Sequence, residues 1–193
     1  GADGCAPMYA WRAREPMAVA SAMKLVVLSA VASEVASGRL SWDDEVEVRD
    51  ALKSLPTGDL RREREGTRLP LDEVATRMIA QSDNTAADHL IHLLDRERVE
   101  QEQALAGVRA PARNVPFLTT REFFALKLAA DDGLLRRFVS LGPVAGRRFL
   151  DGAMADLDPA AGIGRDWSRP RLIDEVEWFY SETDLCEVMV GLR

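Results

Sequence analysis

Several residue types are scarce in this chain of 193 residues, and each scarcity narrows what it can do. There are two cysteines, Cys5 and Cys186, far apart and without a C-x-x-C spacing. That argues against a zinc site or a disulfide framework and leaves one long-range bridge open. The two histidines, His89 and His92, stand at i and i+3, but no third ligand accompanies them, so no metal site is expected and no cofactor is called for. No apolar run is long enough to span a bilayer, and no signal-peptide pattern opens at Gly1. Excess basic charge is also missing: the net charge is −7, which argues against a nucleic-acid surface. Internal repeats and low-complexity linkers are absent as well. What remains is 47% hydrophobic and 30% charged, an ordinary balance for one globular domain able to bury a real core.

The periodicity is mainly helical. Residues 20–37 read as a helix stopped by Gly38, and "SWDDEVEV" alternates as a short extended piece. "MYAWRA" is a candidate strand. Residues 51–69, with Pro56, Gly58, Gly66 and the run "RREREG", read as a solvated loop. Helical spacing returns at Leu71, Val74, Ala75, Met78 and Ile79. One long helix is expected over "TAADHLIHLLDRERVEQEQAL", and another over "TTREFFALKLAA" with Thr120 as N-cap. "RRFLDGAMADL" and "SETDLCEVMVGL" complete a set of six helices. Trp167 and Trp178 are weighed as groove-lining or core residues, with core favoured.

Within the apolar stretch "SAMKLVVLSA" stand Ser21 and Lys24, one helical turn apart. A lysine held in a dry pocket has its charged form disfavoured. Its neutral amine can then take the proton of a neighbouring hydroxyl and make that serine a nucleophile. The plain structural reading is a helix start, with Ser21 capping and Lys24 reaching out to water. Downstream, "IAQSDNTAADHL" sets Ser82-Asp83-Asn84 at a helix junction, where serine and Asx residues also serve as caps. An S-x-x-K followed by S-D-N, in this order, is a pair with a specific meaning.

On these residues the chain resembles the class A β-lactamase-like and penicillin-binding-type serine hydrolases. The likeness is carried by "MAVASAMKLVVLSAVASEVASGRLSWDDEVEVRDALKSLPTG" and "EGTRLPLDEVATRMIAQSDNTAADHLI". It is looser from 95 to 193, where "ARNVPFLTTREFFALKLA" and "RPRLIDEVEWFYSETDLCEVMVGL" resemble a poorly characterised branch of β-lactamase-like serine hydrolases.

The resemblance implies an α/β (α+β) fold of the β-lactamase/transpeptidase type, a helical lobe plus an antiparallel sheet. One domain is expected over 1–193, with the lobe at about 41–130 and the sheet-associated part at about 1–40 and 131–193. It implies Ser21 as the acylated nucleophile, Lys24 as proton acceptor, Ser82 as the proton path to the leaving nitrogen, and Asn84 as the holder of the substrate amide. Asp83 is expected to fix the turn. One oxyanion donor would be the backbone N–H of Ser21, the other an N–H from a sheet strand. The implied substrate is a β-lactam or a peptidoglycan-like amide or ester, and the implied location is extracytoplasmic, with the leader not present here.

Two features depart from the family pattern. No lysine is followed by [ST]-G, so the third motif, Lys-Thr-Gly, is missing. The expectation is therefore a chain whose sheet is incomplete and truncated, which leaves the motif helix partly uncovered. The E-x-x-L-N loop pattern is also not visible, and Glu175 and Glu177 are the candidates for a general base. Two other readings stand beside the hydrolase: a catalytically impaired binding or structural domain of the same fold, and a helical interaction module with accidental motifs.

Overall fold

The computed structural model describes residues 4–5, 9–154, 157–162 and 171–192. Trp167 lies outside them. Strand β1 (Met17–Ala18) leads through a short 3₁₀ turn, Ala20–Met23, into α1 (Lys24–Ala36). Strands β2 (Glu45–Glu47) and β3 (Arg68–Pro70) flank the loop that carries Pro56 and Gly58. Helices α2 (Leu71–Ala80), α3 (Asn84–Leu94) and α4 (Arg96–Leu105) follow. Next comes α5 (Thr120–Phe124), continued by a π turn over Ala125–Ala129. Helices α6 (Asp132–Val139) and α7 (Pro143–Asp151), strand β4 (Phe179–Tyr180) and helix α8 (Glu182–Gly191) complete the order.

The antiparallel pairing is slight. β1 pairs with β4, Met17 opposite Tyr180, and β2 pairs with β3, Val46 opposite Leu69. Each ladder has two strands among the described residues, in line with the incomplete sheet expected from the sequence. The core forms instead around α1, whose neighbours are α2, α3, α4 and α8. Met23, Val26, Val27, Ala30 and Val31 of this segment are fully buried. An apolar helix needs cover on every side, and here helices supply it rather than a sheet. The cover is partial: Leu28 opens onto a groove lined by Trp42, Ala75 and Ile79.

Four expectations need correction. Residues 9–13 of "MYAWRA" form bends and a turn, and the N-terminal strand lies later, at Met17–Ala18. The single helix over 85–105 is two, broken at Asp95, which sits at φ +66. With ψ at +142 this is a conformation that a non-glycine residue adopts at a cost, and the chain turns there between the two helices. Thr119, not Thr120, caps α5: its hydroxyl accepts the Glu122 N–H while the Glu122 carboxylate accepts the Thr119 N–H. The helix expected over 147–157 is α7 at 143–151, started by Pro143, and α6 arises where no helix was foreseen.

Candidate functional site

The 3₁₀ turn at Ala20–Met23 lifts Ser21 to the surface while Lys24, three residues on, points into the core with 2% of its surface exposed. The junction of α2 and α3 meets it there. The Lys24 ammonium donates to the Ser82 carbonyl at 2.7 Å, Ser82 Oγ at 3.0 Å and Asn84 Oδ1 at 2.6 Å, and reaches Ser21 Oγ at 3.4 Å. Ser21, Lys24, Ser82 and Asn84 thus meet around one amine. Ala20 and Ser82 flank it with φ of +47 and +53, a conformation that non-glycine residues adopt at a cost.

Three opposing influences set the charge of Lys24. Burial disfavours the ammonium and dominates, pulling it down to about 8, while the carboxylates of Asp88 and Asp83 pull the other way. Both carboxylates are spent on the backbone. Asp83, fully buried, caps α3 by accepting the Ala86 N–H at 2.9 Å and holds the opposite loop through the Leu60 N–H at 2.8 Å. That loop comes so close that a Cβ on Gly58 would lie 2.0 Å from Asp83 Cγ. Asp88 accepts the N–H groups of Thr120 at 2.6 Å and Arg121 at 2.8 Å, at the start of α5. Burial raises its carboxyl to about 7, and those two N–H groups resist the rise.

A ring of residues missed in the sequence holds this arrangement. Thr57 Oγ1 donates to the Ser82 carbonyl at 2.6 Å, and Asn84 Nδ2 donates to the Leu55 carbonyl at 2.5 Å. Ser54 N donates to Thr85 Oγ1 at 3.0 Å, and Thr120 Oγ1 donates to Ser54 Oγ at 2.7 Å. A signal for part of the ring lay in "NTAADH": Asn84, Thr85, Asp88 and His89 are polar residues in two pairs four apart, all buried on one helix.

The two candidate bases make no hydrogen bond to the four clustered residues, although the Val19 N–H bond to the Trp178 carbonyl at 3.0 Å brings their segment beside the one that leads into Ser21. Glu175 is exposed. Glu177, half-buried, forms an ion pair with the buried Lys127 Nζ at 3.2 Å. Burial pushes the Glu177 carboxyl up and the Lys127 ammonium down, and each partner partly restores the other. Lys53 pairs with Asp50 at 2.6 Å, so neither remaining lysine joins the Ser21 cluster. His89 is fully committed, with Nδ1 against the Thr85 carbonyl at 2.7 Å and Nε2 accepting the Arg49 N–H at 2.9 Å. Trp178 is core, stacked on Phe123 at 4.7 Å between centroids. A cleft of about 600 Å³ lies beside the Cys5–Cys186 disulfide, and none of the four clustered residues lines it.

The helix-rich fold, the slight antiparallel sheets and an amine ringed by two serines and an asparagine define a serine-hydrolase-like architecture of the β-lactamase/transpeptidase type. The chain belongs to the beta-lactamase enzyme family, whose model Beta-lactamase2 matches residues 7–125. Among solved structures, D-alanyl-D-alanine carboxypeptidase DacD from Francisella tularensis is 16% identical, with a TM-score of 0.56 over 94% of this chain and 32% of that one. That likeness speaks to the fold. The β-lactamase from Sphaerobacter thermophilus is 31% identical over 49% of this chain and 36% of its own, with a TM-score of 0.46. PBP-A is 23% identical over 70% of this chain and 53% of its own, with a TM-score of 0.47, and a mutant of it is also solved as an acyl-enzyme complex with penicillin G. The chain thus spans between about a third and a half of the length of these proteins. Comparison with curated proteins gives no match. Among the described residues, no helix is long and apolar enough to cross a membrane.

Proposed function

We propose that the chain is a serine acyl-transfer domain in which Ser21 is acylated by a β-lactam or a peptidoglycan-like amide or ester. The observation that carries this reading is the buried Lys24 amine within reach of Ser21 Oγ, Ser82 Oγ and Asn84 Oδ1 at once. In the neutral fraction, Lys24 Nζ takes the Ser21 proton as Oγ attacks the carbonyl carbon. The C–N bond then breaks, the leaving nitrogen takes a proton through the Ser82 hydroxyl, and Lys24 restores it. Asn84, held between Lys24 and the Leu55 carbonyl, is the holder of the substrate amide in this reading. The Ser21 N–H, in the first turn of its helix, is one oxyanion donor.

One observation shapes this function further. Among the described residues, the carboxylates that bear on Lys24 are Asp83 and Asp88, and both oxygens of each accept backbone N–H groups. Neither is free to activate a water, Glu177 is held by Lys127, and Glu175 is exposed to solvent. The reading is therefore of a penicillin-binding type: Ser21 acylates and releases slowly. The Cys5–Cys186 disulfide supports an oxidising, extracytoplasmic setting. The one-domain division into a lobe at about 41–130 and a sheet-associated remainder belongs to the same proposal. A fluorescent penicillin is the test. Stable covalent label on the protein, absent in Ser21→Ala, is expected. Equal labelling of Ser21→Ala removes the reading, and rapid loss of the label removes its slow-release part.

A further inference from the structure

Arg61 and Arg121 face a cleft of about 360 Å³ on the outer side of the loop that grips Asn84, together with Lys53, Arg62, Asp50 and Asp158. Charge is unevenly matched there. Lys53 pairs with Asp50 at 2.6 Å, and Arg62 pairs outward with Asp59 at 2.8 Å. Asp158 accepts the Ala160 N–H at 2.9 Å. Neither Arg61 nor Arg121 has a carboxylate partner among the described residues. Arg61 Nε is buried with no hydrogen-bond partner at all, and Arg121 meets the Lys53 carbonyl at 3.3 Å. A buried N–H without an acceptor is costly, and an anion would offset that cost. In a chain of net charge −7, a cleft with a cationic excess departs from the surrounding field.

The cleft adjoins the proposed site through its own lining. Ser54 and Leu55 form part of its wall. The Leu55 carbonyl accepts Asn84 Nδ2, and Asn84 Oδ1 accepts the Lys24 amine. A substrate whose amide lies on Asn84 would extend its acyl chain along this loop.

We propose that the cleft is a carboxylate subsite for the acyl end of the substrate, so that the favoured substrates are acyl-peptides or β-lactams whose side chain ends in a carboxylate. The proposal rests on the reading of Asn84 as the residue that holds the substrate amide. Arg61 and Arg121 bind the carboxylate, and Asp50 and Asp158 limit the cleft to one anion.

The test uses three probes: glutaryl-D-alanyl-D-alanine, the same peptide methylated only at its glutaryl carboxylate, and free glutarate. Binding to the full chain is followed by NMR at the Ser54, Leu55, Arg61 and Arg121 amides, and repeated in Ser21→Ala, where no acyl-enzyme forms. The diacid is expected to bind about tenfold more tightly than the ester, as a charge-assisted pair requires. High salt should shrink that advantage. Arg61→Gln and Arg121→Gln should each remove most of it, and Arg61→Lys should restore part. Three results overturn the proposal: equal affinity for diacid and ester (no binding by either included), an advantage that survives both glutamine variants, or free glutarate binding as tightly as the conjugate. Penicillin labelling at Ser21 without the diacid preference sinks the subsite alone. The preference without labelling sinks the acyl-enzyme alone.

Discussion

Lys24 brings a charge into a place where little water reaches it, and its titration is the most direct handle on the cluster. With its ammonium pulled down to about 8 by burial, only about a tenth of it is neutral at pH 7. The rate of labelling by a fluorescent penicillin should therefore rise close to tenfold per pH step below 8 and level off above it. Lys24→Ala should label at least about a hundredfold more slowly at every pH. The sign for stability is the reverse of an ordinary ion pair. The folded value lies below the 10.5 of a free lysine, so burial of the ammonium costs stability below pH 8, and that cost fades as pH rises toward 10.5. Against Lys24→Met, the wild type should gain stability between pH 8 and 10, read from denaturant midpoints. Asp88 is the first of the carboxylates that hold the Lys24 value up. Asp88→Asn should shift the labelling midpoint to lower pH. It should also cost about 1–3 kcal/mol, because an amide presents an N–H to one of the two backbone N–H groups it now accepts. A midpoint unchanged in that variant would remove Asp88 from the electrostatics of the site.

At the scale of elements, the loop 54–60 and the α2–α3 junction form one unit. Asp83 holds both, and Gly58 allows the approach, at φ +93 with no side chain. Gly58→Ala must displace Asp83 or the loop and also take up a strained φ. It should lower stability by about 2 kcal/mol or more and slow penicillin labelling, although residue 58 touches no substrate. A variant that matches the wild type in both measurements would show that the loop can open without consequence. Much of this level was readable. Asp83 as the fixer of the turn, the helix start at Leu71 and the cap of α8 by Ser181 all follow local rules. The cap of α5 was placed one residue late, at Thr120, although Thr119 stands three residues before Glu122 as a capping box requires. Thr120 is excluded from capping by its bond to Ser54 Oγ, a partner 66 residues away that no local rule can see.

At the scale of the molecule, the Cys5–Cys186 bridge spans 181 residues and fixes the N-terminal segment on α8, beside Thr183, whose hydroxyl donates to the Ala13 carbonyl at 2.8 Å. Cross-linking so long a loop restricts the unfolded chain strongly, so Cys5→Ser/Cys186→Ser should lose about 2–5 kcal/mol in denaturant unfolding. The β1–β4 ladder and the Val19 N–H bond to the Trp178 carbonyl at 3.0 Å remain without the bridge. Penicillin labelling at Ser21 should therefore survive in the folded double variant. Loss of labelling with folding intact would mean that the disulfide positions the nucleophile.

The sequence by itself determined the helical character, the apolar helix around Lys24, the two motifs and the family resemblance. These are short-range or compositional: hydrophobic spacing, helix caps and tripeptides are written in neighbouring residues. Tertiary structure alone decided what each charged group meets. Glu177 reads as a candidate base and Lys127 as one more residue of a helix until the fold pairs them. Asp88 reads as one more polar helix residue until α5 docks its N–H groups on it. The reason is physical. Local structure depends on backbone preference and spacing along the chain, whereas desolvation and ion pairing depend on which segments pack together. Residues 24, 82, 84 and 88 owe their chemistry to contacts that cross about 60 positions of sequence.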